Sequence, residues 1–79
     1  MSADIPAIIR ARTNPALHHA VTADALLADL GFRQEVDLVG LQCAVEEAVG
    51  VEFPEQAYAH WLTVQDVCQA AEWFEGVVA

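Results

Sequence analysis

The sequence predicts an all-α fold: a small bundle of three longer helices and one short helix, with a long first loop. Three observations predict it. In every periodic segment the apolar residues recur at helical spacing, and no apolar/polar alternation of the kind a strand needs runs for more than about five positions. The third is that Gly31, Gly50 and Pro54 stand between those segments and not inside them. With 79 residues the chain is read as one domain. A chain of this size hides only about 60% of its unfolded surface, which leaves room for a modest core and none for a large catalytic cleft.

Asp4 precedes the apolar positions Ile5, Ile8 and Ile9, with Pro6 where the first turn tolerates proline, and this opens the first helix. Thr13-Asn14-Pro15 closes it, because the residue before proline is pushed out of helical geometry. Residues 16–23 read as a long loop anchored by Leu17 and Val21, and residues 24–30 as a short helical turn stopped by Gly31. The second long helix is expected from Glu35 to Val49, with Gly50 as a left-handed cap. Val36, Val39, Val45 and Val49 are read as its core face, with Leu38 and Leu41 flanking, while Asp37, Glu46 and Glu47 project elsewhere. Pro54 keeps residues 51–55 extended, and residues 55–61 form a short third helix that buries Tyr58 or Trp61. Thr63 and Asp66 resemble a capping box with Asp in place of the usual Glu. They open a last helix from 64 to about 75 whose apolar set is Val64, Val67, Cys68, Ala71 and Phe74.

Charge is the most informative property. The formal net charge is −9, the only basic side chains besides the histidines are Arg10, Arg12 and Arg33, and there is no lysine. Residues 1–33 balance, so the whole excess of acid lies from Glu35 to Glu75. Such a field repels nucleic acid and anionic membrane and speeds encounter with proteins that carry basic patches. The N-terminal stretch MSADIPAIIR lacks the basic start, apolar stretch and cleavage site of an export signal, so the cytoplasm is the expected location; separately, a monomer is expected. Cys43 and Cys68 are read as free thiols that fill space. No C-x-x-C pair begins a metal site with His18, His19 or His60, and no Ser-His-Asp or Cys-His set suggests an enzyme.

The order of elements, together with DLGF at 29–32, VDLVGLQCAVEEAVGVEFPE at 36–55 and AYAHWLTVQDVCQA at 57–70, resembles the acyl carrier protein family. The resemblance spans residues 5 to about 71 and implies an acyl-carrier-protein-like bundle. It further implies a 4′-phosphopantetheine arm on a serine at the start of the second helix. That serine is absent. Counting from Pro54 places the position at Glu35, and counting from Gly31 places it at Gln34. Neither residue is a hydroxyl nucleophile, and Ser2 is the only serine in the chain. No covalent cofactor is therefore expected.

What the resemblance leaves in place is the docking surface, which in the family presents acidic side chains and an apolar residue or two to basic patches on acyl-processing or carrier-modifying enzymes. The corresponding candidates here are Glu35, Asp37, Leu38, Cys43, Glu46, Glu47 and Glu52, while Gly40 replaces an acid one turn into the helix. Glu35 is read either as a stand-in for the missing phosphodiester charge or as an ordinary acid at a helix start. The expected function is a non-enzymatic binding protein of fatty acid, lipid or polyketide type metabolism. The alternatives are a carrier that works through another modification and a structural or dimerisation module of similar fold.

Overall fold

A computed structural model of the chain describes residues 4–78, with side chains described as far as residue 76. Three α-helices, α1 (Ile5–Ala11), α2 (Glu35–Val49) and α3 (Val64–Val78), are joined through 3-10 turns at Pro15–Ala20, Leu27–Leu30 and Ala57–His60. Among the described residues there is no strand, only an isolated antiparallel bridge between Leu26 and Thr63.

The helix ends follow local chemistry. Asp4 accepts the Ala7 N–H at 3.1 Å and opens α1. Its far end is closed by Thr13, whose buried hydroxyl donates to the Ile9 carbonyl at 2.6 Å. Gly50 adopts φ +79°, a left-handed conformation that lets its N–H reach the Glu46 carbonyl and end α2 where expected. The capping box of α3 is reciprocal: Asp66 accepts the Thr63 N–H at 2.9 Å and donates its own N–H to the Thr63 hydroxyl at 3.3 Å. α3 continues past Gly76 to Val78, beyond the expected end near 75.

The connections differ from expectation in kind. Residues 15–20, expected as loop, wind into a 3-10 turn because Asn14 accepts the Ala16 N–H at 2.9 Å and Pro15 presets the next φ. The turn expected over 24–30 is shorter, Leu27–Leu30, because the residues before it are drawn out to meet α3. Gln65 N–H donates to the Ala23 carbonyl at 2.8 Å, Val64 N–H to Ala25 at 3.0 Å and Leu27 N–H to Leu62 at 2.9 Å. The expected third helix is likewise a single 3-10 turn, and it buries both Tyr58 and Trp61.

The core gathers Ile5 and Ile9 of α1, Leu41 and Val45 of α2, and Val64, Val67 and Ala71 of α3, closed by Leu27, Leu30, Phe32 and Phe53 from the connections. This corrects the expected core face of α2. Val36 and Val39 are 69% and 40% exposed, while Leu41 and Val45 are fully buried and Gln42, a polar residue, is 5% exposed. α2 is apolar on nearly every side, so its periodicity permits more than one rotation. The rotation adopted is the one that places Gln42 against the 54–58 backbone.

Candidate functional site

The start of α2 is built by Gln34, extended at φ −104° and ψ 156°, followed by Glu35 as the first helical residue. Gln34 N–H donates to Asp37 Oδ2 at 3.2 Å, so Asp37 helps cap its own helix. Glu35 is tied further away: its Oε1 accepts the Tyr58 hydroxyl at 2.5 Å. That bond joins the start of α2 to the Ala57–His60 turn, a structural role that neither sequence reading of Glu35 contained.

The Glu35 bond, and after it partial burial and the charges of Glu35 and Glu55, push the Tyr58 hydroxyl above its ordinary pKa of 10.0. The raised pKa stabilises the fold fully below 10.0, and stability falls as pH rises beyond that, because the unfolded chain releases its phenolic proton first. Tyr58 is the only tyrosine, so a spectrophotometric pH titration reads it alone. Glu35→Gln is expected to return its ionisation towards the ordinary value while the helical circular dichroism is kept. An unchanged titration curve would show that the bond is not formed in solution.

Of the other candidates, Cys43, Glu46, Glu47 and Glu52 share one hollow, Asp37 borders another with Arg12, and Leu38 lies on neither. Cys43, Glu47 and Glu52 are exposed and, with Glu46, Gly50 and Val51, line a shallow hollow of about 320 Å³ at the C-terminal half. Glu46 is half-buried and its Oε2 accepts the Phe53 N–H at 2.9 Å, which holds the loop after Gly50. Glu35 lines a separate hollow, of about 540 Å³, with Gln34, Val36 and Val39. Leu38, expected to face a partner, is half-buried against the core.

In its place the structure presents Val36 and Val39, both expected on the core face. With Gly40, Cys43 and Glu47 they occupy positions i, i+3, i+4, i+7 and i+11 of α2, a single outward stripe. The available signal was geometric: Leu41 and Val45 lie on the opposite side of the helix from Val36 and Cys43, so only one of the two sets can be core. Arg12 lies over the glycine in this stripe with the far end of an exposed, flexible side chain. A methyl group at Gly40 would stand 2.7 Å from Arg12 Nη2, so an arginine from outside α2 overlies the position where the family resemblance leads one to expect an acid. The acids of α2 stand at its two ends, Glu35 and Asp37 in the first turn and Glu46 and Glu47 near the last, with Glu52 in the loop beyond.

The two cysteines are free, Cys43 exposed and Cys68 half-buried. Burial, followed by the charges of Glu72 and Asp4, pushes the Cys68 thiol above its ordinary pKa, which makes it a packing group and a poor nucleophile. His18 Nε2 lies 3.1 Å from the Thr13 carbonyl. Among the described residues no three His, Cys, Asp or Glu side chains are grouped to hold a metal ion. No helix among them is long and apolar enough to cross a membrane. Comparison with protein-family models, with curated proteins and with solved structures finds no match to the chain.

Proposed function

We propose that this chain is a carrier-like, non-enzymatic binding protein that docks through α2 on acyl-processing or carrier-modifying enzymes of fatty acid, lipid or polyketide type, without a covalent prosthetic group. The observation that carries the reading is the outward stripe of α2. Val36 and Val39 are 69% and 40% exposed beside Cys43 and Glu47, on a helix whose opposite side already fills the core. Exposed apolar side chains supply contact area that a partner can dry, and the acids supply steering towards a basic patch. The start of α2 supports the second half of the proposal, because Gln34 offers an amide and Glu35 a carboxylate already engaged with Tyr58. Neither can form the phosphodiester on which a pantetheine arm depends.

Two measurements test this. Incubation with coenzyme A and a broad phosphopantetheinyl transferase should leave the intact mass unchanged; a pantetheine increment would overturn the non-acylated reading. For docking, Glu47→Lys is expected to slow association with enzymes recovered on the wild-type chain. The loss should be several-fold at low salt and should shrink as ionic strength rises and the Debye length contracts to about 8 Å. Asp37→Lys should slow association less, because Asp37 borders the same hollow as Arg12, and should also cost helix stability through the lost Gln34 bond. Association rates that ignore the charge of residue 47 would remove α2 as the docking element.

A further inference from the structure

On a different part of the molecule, between the Ala57–His60 turn and α3, lies an open groove of about 620 Å³ whose lining includes Ala57, His60, Trp61, Gln69, Trp73 and Phe74. Its floor is braced. Phe53 stacks on Phe74 at 4.6 Å between ring centroids and meets Trp61 edge-on at 6.4 Å, so two lining rings are held by a third from the core. Trp73 is unlike them: it is 67% exposed and stands apart from Val64, Val67 and Ala71, the side of α3 that packs inward. The fold does not require a tryptophan there.

Charge decides what fits. Asp66 lines the groove, Glu55 lies between the lining residues Pro54 and Gln56, and Glu72 is exposed next to Trp73. No lysine or arginine follows Arg33 anywhere in the sequence. The Asp66 carboxylate accepts the Leu62 and Thr63 N–H groups, each at 2.9 Å, and these bonds hold it below the usual carboxylate range. It therefore stays negative at neutral pH.

An anionic amphiphile entering the groove would meet these acids with no lysine or arginine in the lining to compensate them. A second copy would bring another chain of net charge −9. A basic helix meets neither obstacle: an apolar side chain can lie on the Trp61 and Phe74 floor while a lysine or arginine covers the open face of Trp73, the aromatic ring most attractive to a cation. We infer that the groove is a second docking site, independent of α2, which takes a basic amphipathic helix of a partner protein with Trp73 as the main anchor.

The probe is a synthetic 18-residue leucine/lysine amphipathic helix, titrated calorimetrically into the full chain beside a control peptide in which every lysine is glutamate. Wild type should bind the leucine/lysine peptide and not the control. Trp73→Ala, whose side chain is largely in solvent, should keep its circular dichroism and bind at least roughly tenfold more weakly, as removal of an interface hot spot does. Glu47→Lys, on α2, should keep the Trp73-dependent binding with at most a roughly twofold loss from the reduced net charge, and this separates the groove from the docking face proposed above. The inference is overturned if the leucine/lysine peptide does not bind, or if Trp73→Ala binds it as well as wild type. It is also overturned if Glu47→Lys abolishes binding, which would place the peptide on α2, or if sedimentation without peptide shows a dimer that depends on Trp73.

Discussion

Leu41→Ala is expected to lower the melting temperature by roughly 10 °C or more. Leu41 has no solvent exposure and sits in the core with Val45, Ile9 and Val67, all equally enclosed. Truncating a buried leucine costs about 2–5 kcal/mol, from lost transfer free energy and from the cavity left behind. Small domains have only about 5–15 kcal/mol in total, and in one of this size each kcal/mol moves the midpoint by about 4–8 °C. Val36→Ala is the matched control. Val36 belongs to the same helix and to the core face that the sequence periodicity suggests, but it is 69% exposed, so its truncation should change stability by less than about 0.5 kcal/mol. Thermal denaturation of the two variants by circular dichroism measures the rotation of α2 directly. Equal losses would mean that α2 buries the side carrying Val36, and the proposed docking stripe would disappear with it.

Gln42→Leu is expected to be almost as damaging although leucine is more apolar and similar in size. The Gln42 amide is a two-sided clamp: Nε2 donates to the Pro54 carbonyl at 2.9 Å and more weakly to Glu55 at 3.4 Å, and Oε1 accepts the Tyr58 N–H at 2.8 Å. Leucine leaves these backbone groups without partners in a site where Gln42 itself is 5% exposed. The Tyr58 N–H is buried, and leaving it unsatisfied costs about 1–3 kcal/mol, whereas the carbonyls of the exposed residues Pro54 and Glu55 can turn to water and add less. The local consequence is as informative as the global one. The Tyr58 amide should lose its hydrogen-exchange protection, and the Ala57–His60 turn should loosen together with its Glu35 bond. A Gln42→Leu variant that is as stable as wild type, with Tyr58 still protected, would show that Gln42 does not clamp the 54–58 segment.

These variants mark the boundary between what was legible in the sequence and what was not. Helix existence and helix ends were legible because each depends on groups within a few positions of one another. Asp4 with Ala7, Thr63 with Asp66, and Gly50 with its left-handed φ are local arrangements that would form in almost any tertiary setting. The acidic half of the chain, the missing serine and the break before Pro15 are properties of the sequence as written.

The rest was decided at longer range. Glu46 is separated by 7 residues from the amide it holds, Gln42 by 12 and 16 from its main partners, and Glu35 by 23 from Tyr58, so nothing in their immediate neighbours reveals that these polar groups bond to distant parts of the chain. Leu38 and Val36 exchange expected roles for the same reason. On a helix that is apolar nearly all round, periodicity establishes that a buried side exists, but the backbone presented by the 54–58 segment selects which side it is. By itself the sequence determined three helices, their ends except that of α3, and an excess of acid after Arg33, because propensity, capping and charge act locally or by simple sum. Only the tertiary structure decided how α2 is turned, and with it whether Val36 and Val39 or Leu38 meet solvent, because a buried amide must find its partners wherever the chain brings them.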